Sequence, residues 1–148
     1  MPREIIIRSM HLDDIDKVYA LEVELFPNPW PRSFFEDDLV AKKTIAFIIE
    51  CEKEMIGYSL ASCHDGKFHI TNIAVTKDYQ RKGIGTELMH RLERIALDRG
   101  CTYAYLEVRT DNIAAIKTYE GLGYAIARRH KLYYINGDDA YVMDKELR

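Results

Sequence analysis

The sequence predicts a mixed α/β fold in which about seven mostly antiparallel strands form a central sheet flanked by about four helices. Three successive β-rich runs, Thr44–Cys51, Met55–His64 and Lys67–Thr76, are separated by short turns, as in an antiparallel meander. After them the apolar spacing changes from two residues to three or four, which indicates a helix from about Ile84 that Gly100 stops. A strand, a helix and two further strands then complete the predicted sheet.

The elements before the meander follow from local signals. Glu4–Arg8 is typical of a strand, and Leu12–Phe26 of a helix whose acidic first turn favours its N-terminus. The segment Pro27-Asn28-Pro29-Trp30-Pro31 interrupts that helix, and a short helix is predicted over Arg32–Val40.

The last third of the chain predicts a strand at Tyr103–Val108 and a helix at Ala114–Glu120, capped by Asp111 or Asn112. Two further strands are expected to end near Lys145.

Length and composition limit the possible classes of protein. A chain of 148 residues is the usual size of one domain. The net charge of −3 comes without a long run of Lys or Arg, so we expect no direct binding to nucleic acid. The start, MPREIIIRSM, holds only three consecutive apolar residues, too few for a secretion signal or a membrane span. We therefore expect a cytoplasmic protein without membrane contact, as a monomer or a weak dimer.

Cysteine and histidine usage argues against a metal. Cys51, Cys63 and Cys101 are odd in number and irregularly spaced, which suits neither a disulfide framework nor a zinc site. The five histidines are scattered, and no convergent ligand set can be assembled from them. The sequence predicts no metal.

The most informative segment joins the third strand of the meander to the long helix. Gly83 and Gly85 stand at the mouth of that helix, where free backbone N–H groups and the helix dipole favour an anion. A plain tight turn would use the same residues. The spacing fits neither the Gly-Lys-Ser/Thr phosphate loop nor the three-glycine dinucleotide motif.

Gln80-Arg81-Lys82-Gly83-Ile84-Gly85 resembles the Gln/Arg-x-x-Gly-x-Gly/Ala motif of the GNAT superfamily of N-acetyltransferases. The resemblance implies that the loop amides bind the pyrophosphate of acetyl-coenzyme A (acetyl-CoA). It also implies that the backbone of the preceding strand holds the pantetheine arm. The implied cofactor contacts are Ile73, Ala74, Val75, Gln80, Arg81, Lys82, Gly83, Ile84, Gly85 and Thr86.

A carboxylate within an apolar strand is the first candidate for chemistry. Glu107 lies between Leu106 and Val108, and two interpretations are open. Glu107 can face solvent and pair with Arg109, which lies on the same face of the strand. Alternatively, Glu107 is a partly desolvated general base.

The segment from Asn112 to Tyr124 resembles the GNAT signature Asn-x-x-Ala-x-x-x-Tyr-x-x-x-Gly-Phe/Tyr. The resemblance implies that Asn112 touches the cofactor and that Tyr119 directs its hydroxyl at the sulfur and protonates the departing thiolate. Together with the glycine motif it favours Glu107 as the base. A helix cap at Asn112 and a packed ring at Tyr119 are the alternatives.

Two further segments resemble the RimI-type enzymes of the superfamily, which acetylate protein N-termini. They are Phe26-Pro27-Asn28-Pro29-Trp30-Pro31-Arg32-Ser33-Phe34 and Tyr133-Tyr134-Ile135-Asn136-Gly137-Asp138-Asp139-Ala140. In the second segment, Asp138 replaces the more usual glutamate. The resemblance implies that Phe26, Trp30, Tyr133 and Tyr134 contact the acceptor peptide. Phe26 and Trp30 can equally be core anchors of the first helix, and Tyr133 can equally pack between the sheet and a loop.

The resemblance implies acetyl transfer from acetyl-CoA to the N-terminal α-amine of a protein, with ribosomal protein S18 or a broader set of N-termini as acceptor. One alternative keeps the chemistry and acetylates lysine side chains or small amines. Another is a non-catalytic module that senses coenzyme A or docks on the ribosome.

Overall fold

Seven strands and four α-helices form the regular structure of residues 4–41, 43–134 and 136–148, which the computed structural model describes. The strands are β1 (Ile5–Ser9), β2 (Thr44–Cys51), β3 (Glu54–His64), β4 (Lys67–Val75), β5 (Tyr103–Arg109), β6 (Ala125–His130) and β7 (Ala140–Glu146). The helices are α1 (Ile15–Leu25), α2 (Arg32–Val40), α3 (Ile84–Asp98) and α4 (Ile113–Gly121). The predicted mixed fold is confirmed.

The strands form one sheet in the order β1-β2-β3-β4-β5-β7-β6. β1 pairs antiparallel with β2, β2 with β3, β5 with β7 and β6 with β7. β4 and β5 pair in parallel, and in their register Lys67 lies opposite Tyr103 and Ile70 opposite Leu106. This parallel pair requires a crossover, which α3 supplies.

The hairpin turns of the meander use backbone with positive φ. Asp65 and Gly66 have φ of 51° and 77°, as the predicted Asp-Gly turn requires. The turn between β2 and β3 has the same character at Glu52 and Lys53, with φ of 53° and 69°, although neither is a glycine.

Helix α1 begins later than the sequence predicted. Leu12–Asp14 forms a 3₁₀ turn, and the α-helix starts at Ile15. The side chain of Asp14 accepts hydrogen bonds from the guanidinium of Arg8, at 2.8 and 2.9 Å, and from the backbone N–H of His11, at 2.8 Å. These bonds hold the first turn in its tighter form.

The described chain divides into two compact units. The first unit consists of Met1–Ser62 and Asn72–Gly85, and the second of Cys63–Thr71 and Thr86–Arg148. The expectation that the whole chain is one domain stays a prediction. Within the described ranges, no helix has the length and apolar character needed to cross a membrane.

The core of the first unit lies between helices α1 and α2 and the strands of the meander. Its buried members are Met10, Ile15, Val18, Leu21, Phe35, Ile48, Tyr58, Leu60 and Ala74. The buried face of α1 also includes Glu22, a carboxylate that is only 2% exposed.

In the second unit, α3 buries Leu88, Met89, Leu92 and Ala96. Glu93 on α3 is also buried, with only 9% of its surface exposed. Its carboxylate accepts hydrogen bonds from the hydroxyl of Tyr124, at 2.9 Å, and from Nζ of Lys145, at 2.8 Å. These two partners compensate the burial of the charge.

Candidate active site

The glycine loop of the first unit follows β4 and opens α3. Arg81 and Gly83 have φ of 63° and 82°, so two residues of the loop are in the left-handed region. The side chain of Gln80 turns back to donate a hydrogen bond to the carbonyl oxygen of Val75, at 2.9 Å. Left-handed residues of this kind occur in loops whose successive backbone N–H groups bind an anion.

Open space surrounds the two glycines of the loop. A Cβ built at Gly83 or Gly85 would have no described atom within 4 Å, apart from its chain neighbours. Arg81 and Lys82 are exposed, and Nζ of Lys82 lies 5.5 Å from the centroid of the Tyr79 ring. The loop therefore has both room and positive charge for a phosphate group.

The end of β4, which was predicted to hold the pantetheine arm, is closely packed on β3. A Cβ at Gly57 would lie 2.4 Å from the carbonyl oxygen of Ala74, so only glycine fits there. The backbone N–H of Thr76 donates to the carbonyl oxygen of Ile56, at 2.8 Å. These contacts fix the backbone that includes Ile73, Ala74 and Val75.

Glu107 of the second unit lies on the half-buried face of β5. Its side chain is 11% exposed. Oε1 lies 2.6 Å from Nε2 of His69 and accepts a hydrogen bond from the hydroxyl of Tyr133, at 3.2 Å. The imidazole of His69 also stacks on the ring of Tyr105, with centroids 4.2 Å apart. The carboxylate is thus held in one orientation by two polar partners.

The alternative in which Glu107 pairs with Arg109 is wrong. The guanidinium of Arg109 instead contacts the carboxylates of Asp111, at 3.2 Å, and Asp138, at 2.5 Å. Arg109 is the last residue of β5, and its side chain reaches the loops that follow.

Tyr119 lies on α4 with its ring against that of Tyr124, at a centroid distance of 6.2 Å. Burial, with a smaller contribution from Tyr134, raises the pKa of the Tyr119 phenol to about 12. The hydroxyl therefore stays protonated near neutral pH, as a proton donor must.

Asn112 caps α4, because its side-chain oxygen accepts a hydrogen bond from the backbone N–H of Ala115, at 3.2 Å. The capping alternative is thus observed for Asn112. Its contact with the cofactor stays a prediction.

In the described part of the loop between β6 and β7, acidic residues pair with arginines. Asp139 pairs with Arg129 at 2.7 Å, and Asp138 with Arg109. The rings of Tyr133 and Tyr134 meet edge to face at 4.9 Å, and the guanidinium of Arg109 lies 5.7 Å from the ring of Tyr134. Ile135 of the predicted acceptor segment lies outside the described residues.

Phe26 and Trp30 pack against the core of the first unit, as core anchors do. The indole ring lies 5.3 Å from that of Phe35 and 6.1 Å from that of Phe34. The backbone N–H of Trp30 donates to Oε2 of Glu22, at 3.0 Å. A contact between these two aromatic residues and an acceptor stays a prediction.

His69 and Glu22 are candidate residues that were not predicted from the sequence. The signal for Glu22 was present, since it follows Val18 by four residues and therefore shares its buried helix face. No group of three or more potential metal ligands was found among the described residues. The expected absence of a metal stays a prediction.

The comparison with known families decides the class of the protein. The model of the acetyltransferase (GNAT) family matches residues 15–124, more than half of the chain. The chain belongs to the GNAT family. The predicted family, fold and enzyme class, an acyltransferase, are confirmed.

Relatives and solved structures agree with this GNAT assignment. An uncharacterized N-acetyltransferase of Methanocaldococcus jannaschii is 34% identical over 142 residues, which cover 95% of this chain and 91% of that protein. The N-alpha-acetyltransferase of Saccharolobus solfataricus is 30% identical over 158 residues, with coverage of 98% and 95%. The crystal structure of the ribosomal-protein-S18-alanine N-acetyltransferase from Escherichia coli matches with a TM-score of 0.88 at 29% identity, covering 97% of this chain and 94% of that one.

Proposed function

We propose that this GNAT protein transfers the acetyl group of acetyl-CoA to the N-terminal α-amine of a protein. The observation that carries the proposal is the carboxylate of Glu107, held at 2.6 Å from His69 and 3.2 Å from Tyr133. The names of the relatives support the choice of acceptor, since one is an N-alpha-acetyltransferase and another acts on the alanine of ribosomal protein S18. The acceptor is a ribosomal protein or a broader set of N-termini.

Acetyl-CoA fits the described residues of the glycine loop. The open space at Gly83 and Gly85 and the exposed charges of Arg81 and Lys82 suit its pyrophosphate. The backbone of Ile73–Val75 holds the pantetheine arm, and Ile84, Thr86 and Asn112 complete the proposed contacts. When bound, acetyl-CoA supplies a thioester that an amine can attack.

Glu107 removes the proton that keeps the acceptor unreactive. A free α-amine has a pKa of about 7.7 to 8.0, so most of it is protonated at neutral pH and lacks a lone pair. Oε1 of Glu107 already has His69 and Tyr133 as partners, and Oε2 has no hydrogen-bond partner among the described residues. Oε2 therefore accepts the amine proton, directly or through a water molecule.

When the amide bond forms, the bond between the acetyl carbon and sulfur breaks and Tyr119 gives its proton to the leaving thiolate. The proton that the nitrogen loses as it becomes an amide restores the phenol. The Tyr119 pKa of about 12 keeps the phenol neutral before the reaction. Protonation of the leaving thiolate prevents it from attacking the acetyl group again. Phe26, Trp30, Tyr133 and Tyr134 contact the first residues of the acceptor. Correct placement of both substrates contributes a large part of the rate enhancement.

The test is to incubate the protein with acetyl-CoA and a panel of peptides with free N-termini, with release of the coenzyme A thiol as the readout. We expect release above background with some members of the panel. The peptides contain no lysine, and the same peptides with blocked N-termini serve as controls. These controls should release no coenzyme A thiol. An absence of release across the whole panel would contradict the proposal.

A further inference from the structure

A buried carboxylate in the first unit takes no part in the proposed chemistry. Glu22 on α1 is 2% exposed, and no basic side chain contacts it among the described residues. Oε1 accepts hydrogen bonds from the hydroxyl of Tyr58, at 2.5 Å, and from Nδ2 of Asn72, at 2.9 Å. Oε2 accepts one from the backbone N–H of Trp30, at 3.0 Å. These four residues are named the Glu22 cluster.

The Glu22 cluster joins the segments on which both substrates depend in the proposed function. Asn72 lies on β4 directly before Ile73, the first residue of the strand proposed to hold pantetheine. Trp30 lies in the loop between α1 and α2, which is proposed to contact the acceptor. The Glu22 side chain therefore forms hydrogen bonds to both the acceptor loop and β4 within the first unit.

The sequence of the loop limits which backbone N–H group can donate to Glu22. Trp30 stands between Pro29 and Pro31, and proline has no backbone N–H. The N–H of Trp30 is thus the only backbone donor of the three residues, and Glu22 accepts it. Packing alone does not require a carboxylate here, since an apolar side chain would occupy this helix face without the cost of burying a charge.

We propose that Glu22 is a positioning residue for the acceptor: it holds the loop of residues 26–31 against β4 and so sets the site for the N-terminal peptide. This inference rests on the proposed function. Burial and the charge of Glu22 raise the pKa of Tyr58 well above its usual value, so the phenol remains a donor to the cluster at physiological pH.

The first test compares Glu22→Gln with Glu24→Gln in the full chain. Glu24 lies on the same helix but is exposed, so its substitution controls for the change in charge. The introduced amide at position 22 has one acceptor oxygen in place of two, and the donors of the cluster cannot all be satisfied by it. We expect Glu22→Gln to raise the KM for an α-amine peptide about tenfold and to change the KM for acetyl-CoA less than about twofold. Glu24→Gln should change neither.

A reciprocal exchange provides the rescue. Asn72→Asp alone places a second carboxylate beside Glu22 and should also raise the peptide KM. In the double variant Glu22→Gln, Asn72→Asp, the new amide can donate to the new carboxylate while its oxygen accepts from Trp30. We expect the peptide KM to return to within about threefold of the wild-type value.

The fluorescence of Trp30 tests the same claim without turnover, because it is the only tryptophan in the chain. We expect Glu22→Gln to increase acrylamide quenching of Trp30 at least about twofold, and the double variant to reverse the increase. Unchanged quenching, or equal changes in the KM of both substrates, would overturn the positioning role. A wild-type protein that acetylates no peptide would instead contradict the proposed function, while the quenching result would still decide the role of Glu22.

Discussion

Nε2 of His69 lies 2.6 Å from Oε1 of Glu107, and the register of the parallel strands explains why. His69 on β4 lies opposite Tyr105 on β5, and the two rings stack. Glu107 is two residues beyond Tyr105 and therefore on the same face of the sheet. The contact with His69 therefore holds the Glu107 carboxylate in one orientation.

Glu107→Gln tests the assignment of the base. The amide keeps the shape of the side chain but cannot accept the amine proton, so we expect kcat to fall about 100-fold or more. The dissociation constant for acetyl-CoA should change less than about twofold, because the glycine loop is untouched. Steady-state kinetics and calorimetry measure the two quantities. Glu120→Gln, an exposed change on α4, is the control, and equal activity of the two variants would refute the role of Glu107.

Substitution of His69 tests whether the contact orients the base. His69→Leu removes one of the two partners of Glu107 Oε1 and leaves Tyr133 as the other, and we expect kcat to fall about tenfold. His69→Gln retains a hydrogen-bond donor, so its kcat should fall less. The exposed His90, replaced by Leu, serves as the matched control. Full activity of His69→Leu would show that Tyr133 alone is sufficient to orient Glu107.

Gly85→Ala separates cofactor contact from folding. Gly85 does not have positive φ, and its Cβ would meet nothing within 4 Å, so the fold should accept alanine with an unchanged Tm. We expect the affinity for acetyl-CoA to fall about tenfold if the pyrophosphate occupies this space.

Gly83→Val should lower both the stability of the fold and the affinity for acetyl-CoA, because φ at Gly83 is 82°.

Gly121→Ala on α4, which also has open space at Cβ, is the control for Gly85→Ala. Normal affinity in Gly85→Ala would place the pyrophosphate elsewhere.

The raised pKa values of three tyrosines predict that the free energy of unfolding falls at high pH. Burial raises the pKa of Tyr119, Tyr103 and Tyr134 to about 12 each, against 10 for a free phenol. The folded state holds these protons more tightly, so their contribution to stability is complete below pH 10 and is lost as the pH rises from 10 through 12. Urea unfolding between pH 8 and about 11 measures the decline.

Tyr119→Phe should make that decline shallower, since one of the titrating groups is removed. The variant retains the ring that packs on Tyr124, so its folding at pH 8 should be maintained. A decline as steep as that of the wild type would mean that Tyr119 does not retain its proton above pH 10.

The order of the elements was predictable because each has a local signal. Three features depend on residues that determine nearby backbone shape: the Asp65-Gly66 turn, Gly100 just after the end of α3, and the cap at Asn112. The glycine loop and the Asn112–Tyr124 segment likewise carry their resemblance in contiguous residues. These features require no knowledge of distant contacts.

The contacts of the candidate site could not be predicted in the same way. The pairing of His69 with Glu107 depends on the register of two strands, β4 and β5, that are separated in the chain by residues 76–102, which include α3. The burial of Glu93 depends on Tyr124 and Lys145, which come from later elements. A pattern within one element shows which face is apolar but not which distant partner makes a buried charge acceptable.

The most direct test of the account is a competition between two peptides of equal length. One has a free N-terminus and no lysine, and the other has a blocked N-terminus and one lysine. Both are incubated with the protein and acetyl-CoA, and mass spectrometry locates the added acetyl group. We expect acetylation of the free α-amine and almost none of the lysine. Preferential acetylation of the lysine side chain would contradict the proposed function.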